Sequence, residues 1–419
     1  MAKHSTEILH NREFIKLLIM RLMVAVTLQA QAVIVGWQVY SLTKDALYLG
    51  LIGLTEAVPA LTAALFAGYI VDRVRPYFVL KCGLIVLVIN TLILFLVAGQ
   101  HVAIHSSFTL PIIFFCVFIS GLARSFLIPA NFALIPLIVK RSQLSAASAW
   151  LSSGFHVASI SGPAVAGIIY GVYGAGGAWL LPLITMTTAA LMMLNLKTVR
   201  DYKNPPSDAK AMDSIKEGWF FILKNPVMLS VMTLDMFAIL FGGAVAMLPV
   251  YAAEVLHVGS EGLGLLRASP AIGAVIVGLL LAFYPLKTIS AKRLLLAVAG
   301  FGLCIIGFGL SKIFLLSCLF LALSGATDCI SMVYRNTIMQ WLTPDHMRGR
   351  VASVNGMFIT SSNEIGAFES GISAKALGTV PSVVFGGMMT LIVVASISWL
   401  SPQFRKTVLH ADEMRKHEV

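Results

Sequence analysis

Long runs of apolar residues alternate with short polar connections along almost the whole chain. A run of about 20 apolar residues is enough for a helix to cross the roughly 30 Å hydrocarbon core of a bilayer. The pattern therefore predicts an all-α membrane protein with twelve transmembrane helices. The predicted spans are 15–42, 47–71, 78–99, 110–139, 144–173, 178–196, 225–253, 262–285, 291–310, 313–341, 350–377 and 380–400.

The composition agrees with this pattern, because 58% of the 419 residues are hydrophobic and only 12% are charged. Such a chain is too apolar for an ordinary soluble domain, and the lipid bilayer is its expected environment and partner. Most of the Lys and Arg residues lie at one set of span ends, as cytoplasmic loops require. The net charge of +11 thus indicates orientation, with both termini cytoplasmic, rather than a nucleic-acid partner.

The longest polar interruption, 197–218, lies between the sixth predicted span and the seventh and is split by Pro205 and Pro206. Its second part mixes apolar and charged residues like a short helix on the inner membrane face. The predicted domains are an N-terminal six-helix bundle (1–196), this linker (197–224), a C-terminal six-helix bundle (225–400) and a cytoplasmic tail (401–419).

The two halves repeat each other. GLTEAVPA at 53–60 resembles GLLRASPA at 264–271, and SGLAR at 120–124 resembles SGATD at 324–328. Gly162 and Gly167 correspond in the same way to Gly366 and Gly371. Parallel repeats of membrane helices are typical of secondary transporters, in which a small-molecule substrate passes between the halves near the middle of the membrane.

Ionisable side chains at membrane depth are expected to be paired, hydrated or functional, because each costs at least about 2.5 kcal/mol there. The repeat makes Arg124 equivalent to Asp328 and Glu56 equivalent to Arg267, so opposite charges occupy equivalent places. We hypothesise that such charges pair between the halves and hold one face closed. The alternative is that each charge satisfies a neighbour in its own half, for example Asp328 with Arg335.

Carboxylates in the second half are candidates for carrying protons. Burial of a carboxyl group disfavours its charged form, so that it can load and release protons near neutral pH. The alternative for each is a fixed hydrogen-bonded strut. The candidates are Asp235, Asp328, Glu364 and Glu369.

Other polar groups near the middle of predicted spans are candidates for binding the substrate. The alternative for any one of them is a hydrogen bond between helices. These candidates are Gln29, Gln31, Arg124, Arg335, Asn336, Gln340 and Asn363.

Several kinds of chemistry are not expected. No GxxxxGK[ST] phosphate loop occurs, so the energy for transport should come from an ion gradient rather than ATP. His101 and His105 have metal-ligand spacing but lie in a predicted outer loop without a third ligand nearby. No His, Asp or Cys cluster has catalytic spacing, so neither an enzyme nor a cofactor is expected.

Two motifs resemble those of the major facilitator superfamily. AGYIVDRVR at 67–75 is similar to that family's loop between spans 2 and 3, and GPAVAG at 162–167 is similar to the span 5 motif of its drug antiporters. The resemblance implies a gating role for Gly68, Asp72, Arg73, Arg75, Gly162, Pro163, Gly167, Arg348 and Arg350, and the opposite charges at repeat-equivalent positions add Glu56 and Arg267 to the gating candidates. Arg348 and Arg350 are the expected partners of Asp72.

Segments 248–268, 343–351 and 361–371 resemble the enterobactin-exporter-like branch of that superfamily, which belongs to the bacterial inner membrane. The resemblance implies proton-coupled export of a siderophore or an amphiphilic drug-like molecule by alternating access. A monomer is expected, because twelve spans already enclose a cavity. The alternatives are a siderophore or small-solute importer, a lysophospholipid flippase, and a non-transporting membrane scaffold or sensor.

Overall fold

A computed structural model describes residues 8–102, 105–197, 211–284, 288–344 and 347–410. Over this range the regular structure is helical except for two three-residue strands. Ten of the described helices are long and apolar enough to cross a membrane. The helical membrane fold expected from the apolar runs is therefore confirmed.

The first of two compact units comprises Met1–Lys44, Leu54–Asp208 and Val258–Ala268. In it α1 packs along α5, and α3 packs on α4. The apolar faces of these helices bury one core, which includes Leu17, Leu84, Leu134 and Met186. The helices are α1 (Arg12–Thr43), α2 (Ala46–Arg73, from residue 54 onward), α3 (Pro76–Val97), α4 (Ser106–Ile138) and α5 (Leu144–Leu194), with short 3-10 turns at Ile8–His10 and Arg141–Gln143.

The second unit comprises Asp45–Gly53, Ala209–His257 and Ser269–Val419. Here α9 packs on α10 and α12, and α11 packs on α6 and α7. The helices are α6 (Ala211–Lys224), α7 (Pro226–Phe241), α8 (Ser260–Phe283, from residue 269 onward), α9 (Ala291–Leu310), α10 (Phe314–Leu342), α11 (Arg348–Leu377), α12 (Thr379–Leu400) and α13 (Pro402–Lys406).

Short segments complete the second unit. Between α7 and α8 the chain forms a 3-10 turn at Ala244–Met247, one helical turn at Leu248–Val250 and a π turn at Tyr251–Val255. Strand β1 (Thr288–Ser290) pairs antiparallel with β2 (Val408–His410). The fully buried ring of Phe404 lies in the core of this unit. The tail residues 402–410 are thus folded onto the unit.

An asparagine caps the N-terminus of the first membrane helix in each sequence half. The Asn11 side chain accepts hydrogen bonds from the backbone N–H groups of Glu13 and Phe14 at the start of α1. Asn225 does the same for Val227 and Met228 at the start of α7. Each amide satisfies backbone donors that have no partner within the helix.

The predicted spans differ from the structure in two details. The predicted break between 173 and 178 is a single residue, Gly174, whose φ of 66° and ψ of −167° interrupt α5 without ending it. Glycine tolerates this backbone conformation because it has no Cβ atom. The predicted span 225–253 is a regular helix only to Phe241, because Gly242 ends α7 and irregular helical turns follow.

Candidate functional site

A buried ion pair joins two helices of the second unit. Asp235 on α7 and Arg335 on α10 pair directly, with side chains 9% and 6% exposed. The example that we offered from the sequence, Arg335 with Asp328, is wrong, because Arg335 reaches across to α7 rather than along its own helix. The two charges neutralise each other at a depth where either alone would be costly.

A small cavity lies beside this pair, within the second unit. Its walls are Asp235, Ala238 and Ile239 of α7, Val298 and Phe301 of α9, and Asp328 and Ser331 of α10. Asp328 is the central residue of α10, and its side chain is exposed. Among the described residues nothing donates a hydrogen bond to the Asp328 carboxylate or pairs with it.

Asp328 lies on a face of α10 that is mostly polar, with the exposed Met332 between it and Asn336. Asn336 and Gln340 follow it at two turns and three turns, so the three side chains lie on one side of the helix. All three are exposed, although α10 is otherwise apolar enough to span a membrane. A face with a carboxylate and two amides would be costly against lipid tails. We therefore interpret it as the wall of a hydrated path.

The α11 candidates lie in the same unit. Asn363 is exposed, although its amide donates to the Ile359 carbonyl one turn earlier, at 2.9 Å. Glu364 is half-buried and has an interaction partner. Glu369 accepts a 2.5 Å hydrogen bond from the Ser373 hydroxyl. Both carboxylates thus differ from Asp328, which has no described partner.

In the first unit, Arg124 on α4 pairs with Glu56 on α2. This pair is partly exposed, at 39% and 22% of the two side chains. Arg124 therefore satisfies a neighbour in its own unit, which is the alternative to pairing between the halves. Arg267, the repeat equivalent of Glu56, is half-buried and also has an interaction partner.

The two glutamines of α1 form hydrogen bonds between helices. The Gln29 amide donates to the Ser159 hydroxyl of α5 at 3.0 Å. The buried Gln31 amide donates to Thr91 of α3 at 2.9 Å. Hydrogen bonding between helices is the alternative to substrate binding that we gave for both residues. A substrate-binding role for them stays a prediction.

The glycines of the span 5 motif allow close packing. A Cβ atom added to Gly162 would lie 2.9 Å from Gln29 Cβ on α1, and one added to Gly167 would lie 2.9 Å from Gly264 Cα on the first turns of α8. Pro163 also belongs to this contact, because a Cβ on Gly264 would lie 2.5 Å from its carbonyl oxygen. Only small residues permit such an approach between helix backbones.

The second unit repeats these contacts at equivalent positions. A Cβ on Gly366 would lie 3.0 Å from Leu240 Cα on α7, and one on Gly371 would lie 2.7 Å from Gly50 Cα on the first turns of α2. The short echoes in the sequence therefore correspond to equivalent packing in both units.

The motif at 67–75 and the residues expected to contact it are described only in part. Arg73 and Arg75 are exposed, and Arg73 has an interaction partner. The side chains of Asp72 and Arg348, and the surroundings of Gly68, lie outside what the structure describes.

Arg350 pairs with Glu217 of the linker helix α6. Its expected contact with Asp72 stays a prediction, because the Asp72 side chain lies outside the described residues. The rings of Trp219 and Phe358 stack beside this pair, 5.3 Å apart, and Gly218 lies against the Arg350 backbone. The sequence predicted the linker helix but carried no signal for what it would contact. No cluster of three or more metal-ligating side chains occurs in the part of the chain that the structure describes.

A family model described as the Major Facilitator Superfamily matches residues 17–367. The chain belongs to the major facilitator superfamily. The resemblance found in the sequence motifs is thereby confirmed. With its apolar helices, this membership identifies a multi-pass protein of the bacterial inner membrane, from a family of transporters rather than enzymes.

Curated relatives point to one branch of the superfamily. The chain is 27% identical over 279 residues to the enterobactin exporter EntS of Citrobacter koseri, and equally so to that of Shigella dysenteriae serotype 1. Each match covers 66% of this chain and 63% of the relative. The matched region thus spans less than two thirds of these relatives.

Solved structures support the fold alone. A bacterial homologue of the human lysosomal transporter Spinster, in an inward-facing and unoccupied conformation, is 14% identical with a TM-score of 0.71. A bacterial homologue of the iron transporter ferroportin, also inward-facing, is 15% identical with a TM-score of 0.69. Each alignment covers 94% of this chain, and 96% and 99% of the respective structures.

Proposed function

We propose that the chain is a secondary active transporter that exports a siderophore or an amphiphilic drug-like molecule in exchange for protons. It works as a monomer by alternating access. Its similarity to enterobactin exporters supports the direction and the class of substrate. The absence of a phosphate loop in the sequence supports coupling to an ion gradient.

The single observation that carries this proposal is Asp328, a carboxylate at the centre of α10, exposed and without a described partner. A carboxylate is costly at this depth unless it is hydrated or does work. Proton exchange is such work, because a protonated carboxyl group loses the penalty of its charge. Asp235, Glu364 and Glu369 are secondary candidates because each has a partner.

The proposal includes twelve membrane spans with both termini cytoplasmic. The two arms of α5 on either side of Gly174 are each long enough to cross a bilayer. Helix α11 has 30 residues, and its lower hydropathy reflects its polar groups. Counting both arms of α5 and adding α11 to the other apolar helices gives six spans in each sequence half.

The test is transport in proteoliposomes with an imposed proton gradient of either sign, using enterobactin and a panel of lipophilic drugs. Substrate movement opposite to proton flow, lost in Asp328→Asn, is the expected result. If Asp328→Asn still coupled substrate movement to proton flow and Glu369→Gln did not, Glu369 would be the proton carrier instead of Asp328. Movement along the proton gradient would favour the importer, and no movement of any compound would contradict the transport proposal.

A further inference from the structure

The charges at membrane depth are not balanced between cations and anions. Arg124 is paired with Glu56 and Arg335 with Asp235, so neither guanidinium is freely available to an anionic substrate. The carboxylate of Asp328, in contrast, has no described partner. Arg21, half-buried in α1, is a cation without a described partner, and it lies in the first unit rather than beside Asp328.

The cavity beside Asp328 has the chemistry of a cation site. Asp235 and Arg335 cancel as a pair, which leaves the single negative charge of Asp328 at the wall. Helix α9 contributes Val298 and the aromatic ring of Phe301, and no charged group. An aromatic ring near a cation adds an attraction that grows as water is excluded. The Ser331 hydroxyl adds a hydrogen-bond acceptor.

The cavity is also small. It admits a group about the size of one water molecule, so it cannot hold a whole amphiphile. An ammonium group is of that size, and it offers hydrogen-bond donors to both the carboxylate and the hydroxyl. The rest of such a molecule would extend from the cavity along the face that carries Asn336 and Gln340.

We propose that this cavity binds the protonated amine of the transported molecule, with Asp328 as its counter-ion and Phe301 as its aromatic wall. The substrate class is therefore an amphiphile that carries an amine, rather than one that carries only acidic groups. This inference rests on the proposed transport function, because it names the chemistry of the molecule moved. It also explains the coupling, since Asp328 cannot hold an ammonium group and a proton together.

Binding to the purified full-length protein in detergent tests this inference without requiring transport. Three fluorescent probes share one dansyl group and one alkyl chain: dansylcadaverine with a free amine, its neutral N-acetyl derivative, and dansyl-6-aminohexanoate with a carboxylate. The amine probe should bind about tenfold or more tightly than the other two, as expected for a charge-assisted hydrogen bond.

Substitutions of the residues that line the cavity test whether the amine binds there. Asp328→Asn should remove the preference for the amine, Asp328→Glu should retain part of it, and Phe301→Leu should weaken amine binding about threefold or more. Glu261→Gln is the matched control, because it removes an exposed carboxylate at the start of α8 and should leave binding unchanged. Asp328→Glu and Phe301→Leu keep the test valid if Asp328→Asn does not fold.

Several results would overturn the inference. The first is equal binding of the amine and N-acetyl probes. The second is an amine preference that survives in Asp328→Asn. The third is tighter binding of the acid probe, and loss of that acid binding in Arg21→Gln would assign it to Arg21. Displacement of the amine by sodium ions at millimolar concentration would assign the site to an inorganic cation instead.

If liposomes transported enterobactin while the amine preference was absent, this inference alone would fail. If amine binding held and nothing was transported, the proposed function alone would fail.

Discussion

At the scale of single residues, the buried pair of Asp235 and Arg335 should stabilise the second unit. Asp235→Asn leaves a buried guanidinium without its counter-charge, which typically costs about 3–5 kcal/mol. We expect a clear fall in the thermal unfolding midpoint, measured by tryptophan fluorescence in detergent. The double variant Asp235→Asn, Arg335→Gln should recover most of the loss, because no isolated charge remains.

The exposed pair of Lys375 and Asp45, 3.2 Å apart, is the control for that experiment. Lys375→Gln should change stability by no more than about 1 kcal/mol, because water screens exposed pairs. If Asp235→Asn were no more destabilising than Lys375→Gln, the buried pair would have no structural role.

Asp45 also gives a prediction about pH. The hydrogen bond from the Leu47 backbone N–H, at 2.9 Å, and then the nearby Lys375 hold the pKa of Asp45 below its usual value. A lowered pKa contributes stability that is complete above the usual value, about 3.9, and is lost as the pH falls through the lowered value.

The difference in unfolding midpoint between wild type and Asp45→Asn should therefore stay constant from pH 8 to about pH 5 and shrink only below about pH 4. A difference that changed near pH 6 or 7 would contradict this assignment. Asp45 is thus not expected to sense pH in the physiological range.

At the scale of helices, close packing in the second unit depends on Gly371. Gly371→Ala would place a Cβ 2.7 Å from Gly50 Cα, and a backbone atom cannot move away as a flexible side chain would. We expect a cost of about 1–3 kcal/mol from this overpacking, together with slower transport, measured as thermal stability and initial rate in liposomes.

Gly356→Ala on the same helix is the matched control. No described atom lies within 4 Å of a Cβ added to Gly356, so the change should be neutral or stabilise α11 by up to about 1 kcal/mol through helix propensity. Equal effects of the two substitutions would mean that the approach of α11 to the first turns of α2 is not tight.

Some features of the helices could be predicted from the sequence and others could not. Apolar runs located the helices, and short echoes identified Gly162, Gly167, Gly366 and Gly371 as equivalent before any contact was known. The break at Gly174 is a single residue instead of the expected connection from 174 to 177, because hydropathy does not show how few residues a helix break needs.

At the scale of the whole molecule, the proposed twelve spans place Tyr173 outside and Lys197 inside the cell. In a variant without native cysteines, Tyr173→Cys should react with a membrane-impermeant maleimide on intact cells. Lys197→Cys should react only after the membrane is permeabilised. Both positions are exposed, so reactivity should report the side of the membrane.

Labelling of both cysteines from the same side would mean that the second arm of α5 does not cross the bilayer. Such a result would reduce the number of spans and reverse the orientation of every later helix, while leaving membership of the superfamily unchanged.

The sequence by itself determined the positions of the apolar helices, the internal repeat and the charges that lie at membrane depth. The sequence shows these properties directly, because hydropathy and charge are read from the residues themselves and a repeat from comparing two segments. Only the tertiary structure decided that Arg335 pairs with Asp235, that Arg124 pairs with Glu56, and that Arg350 pairs with Glu217. It also left Asp328 without a partner among the residues that the structure describes, and it folded β2 onto β1. Such choices depend on how each helix is rotated about its axis, and the packing of distant segments sets that rotation.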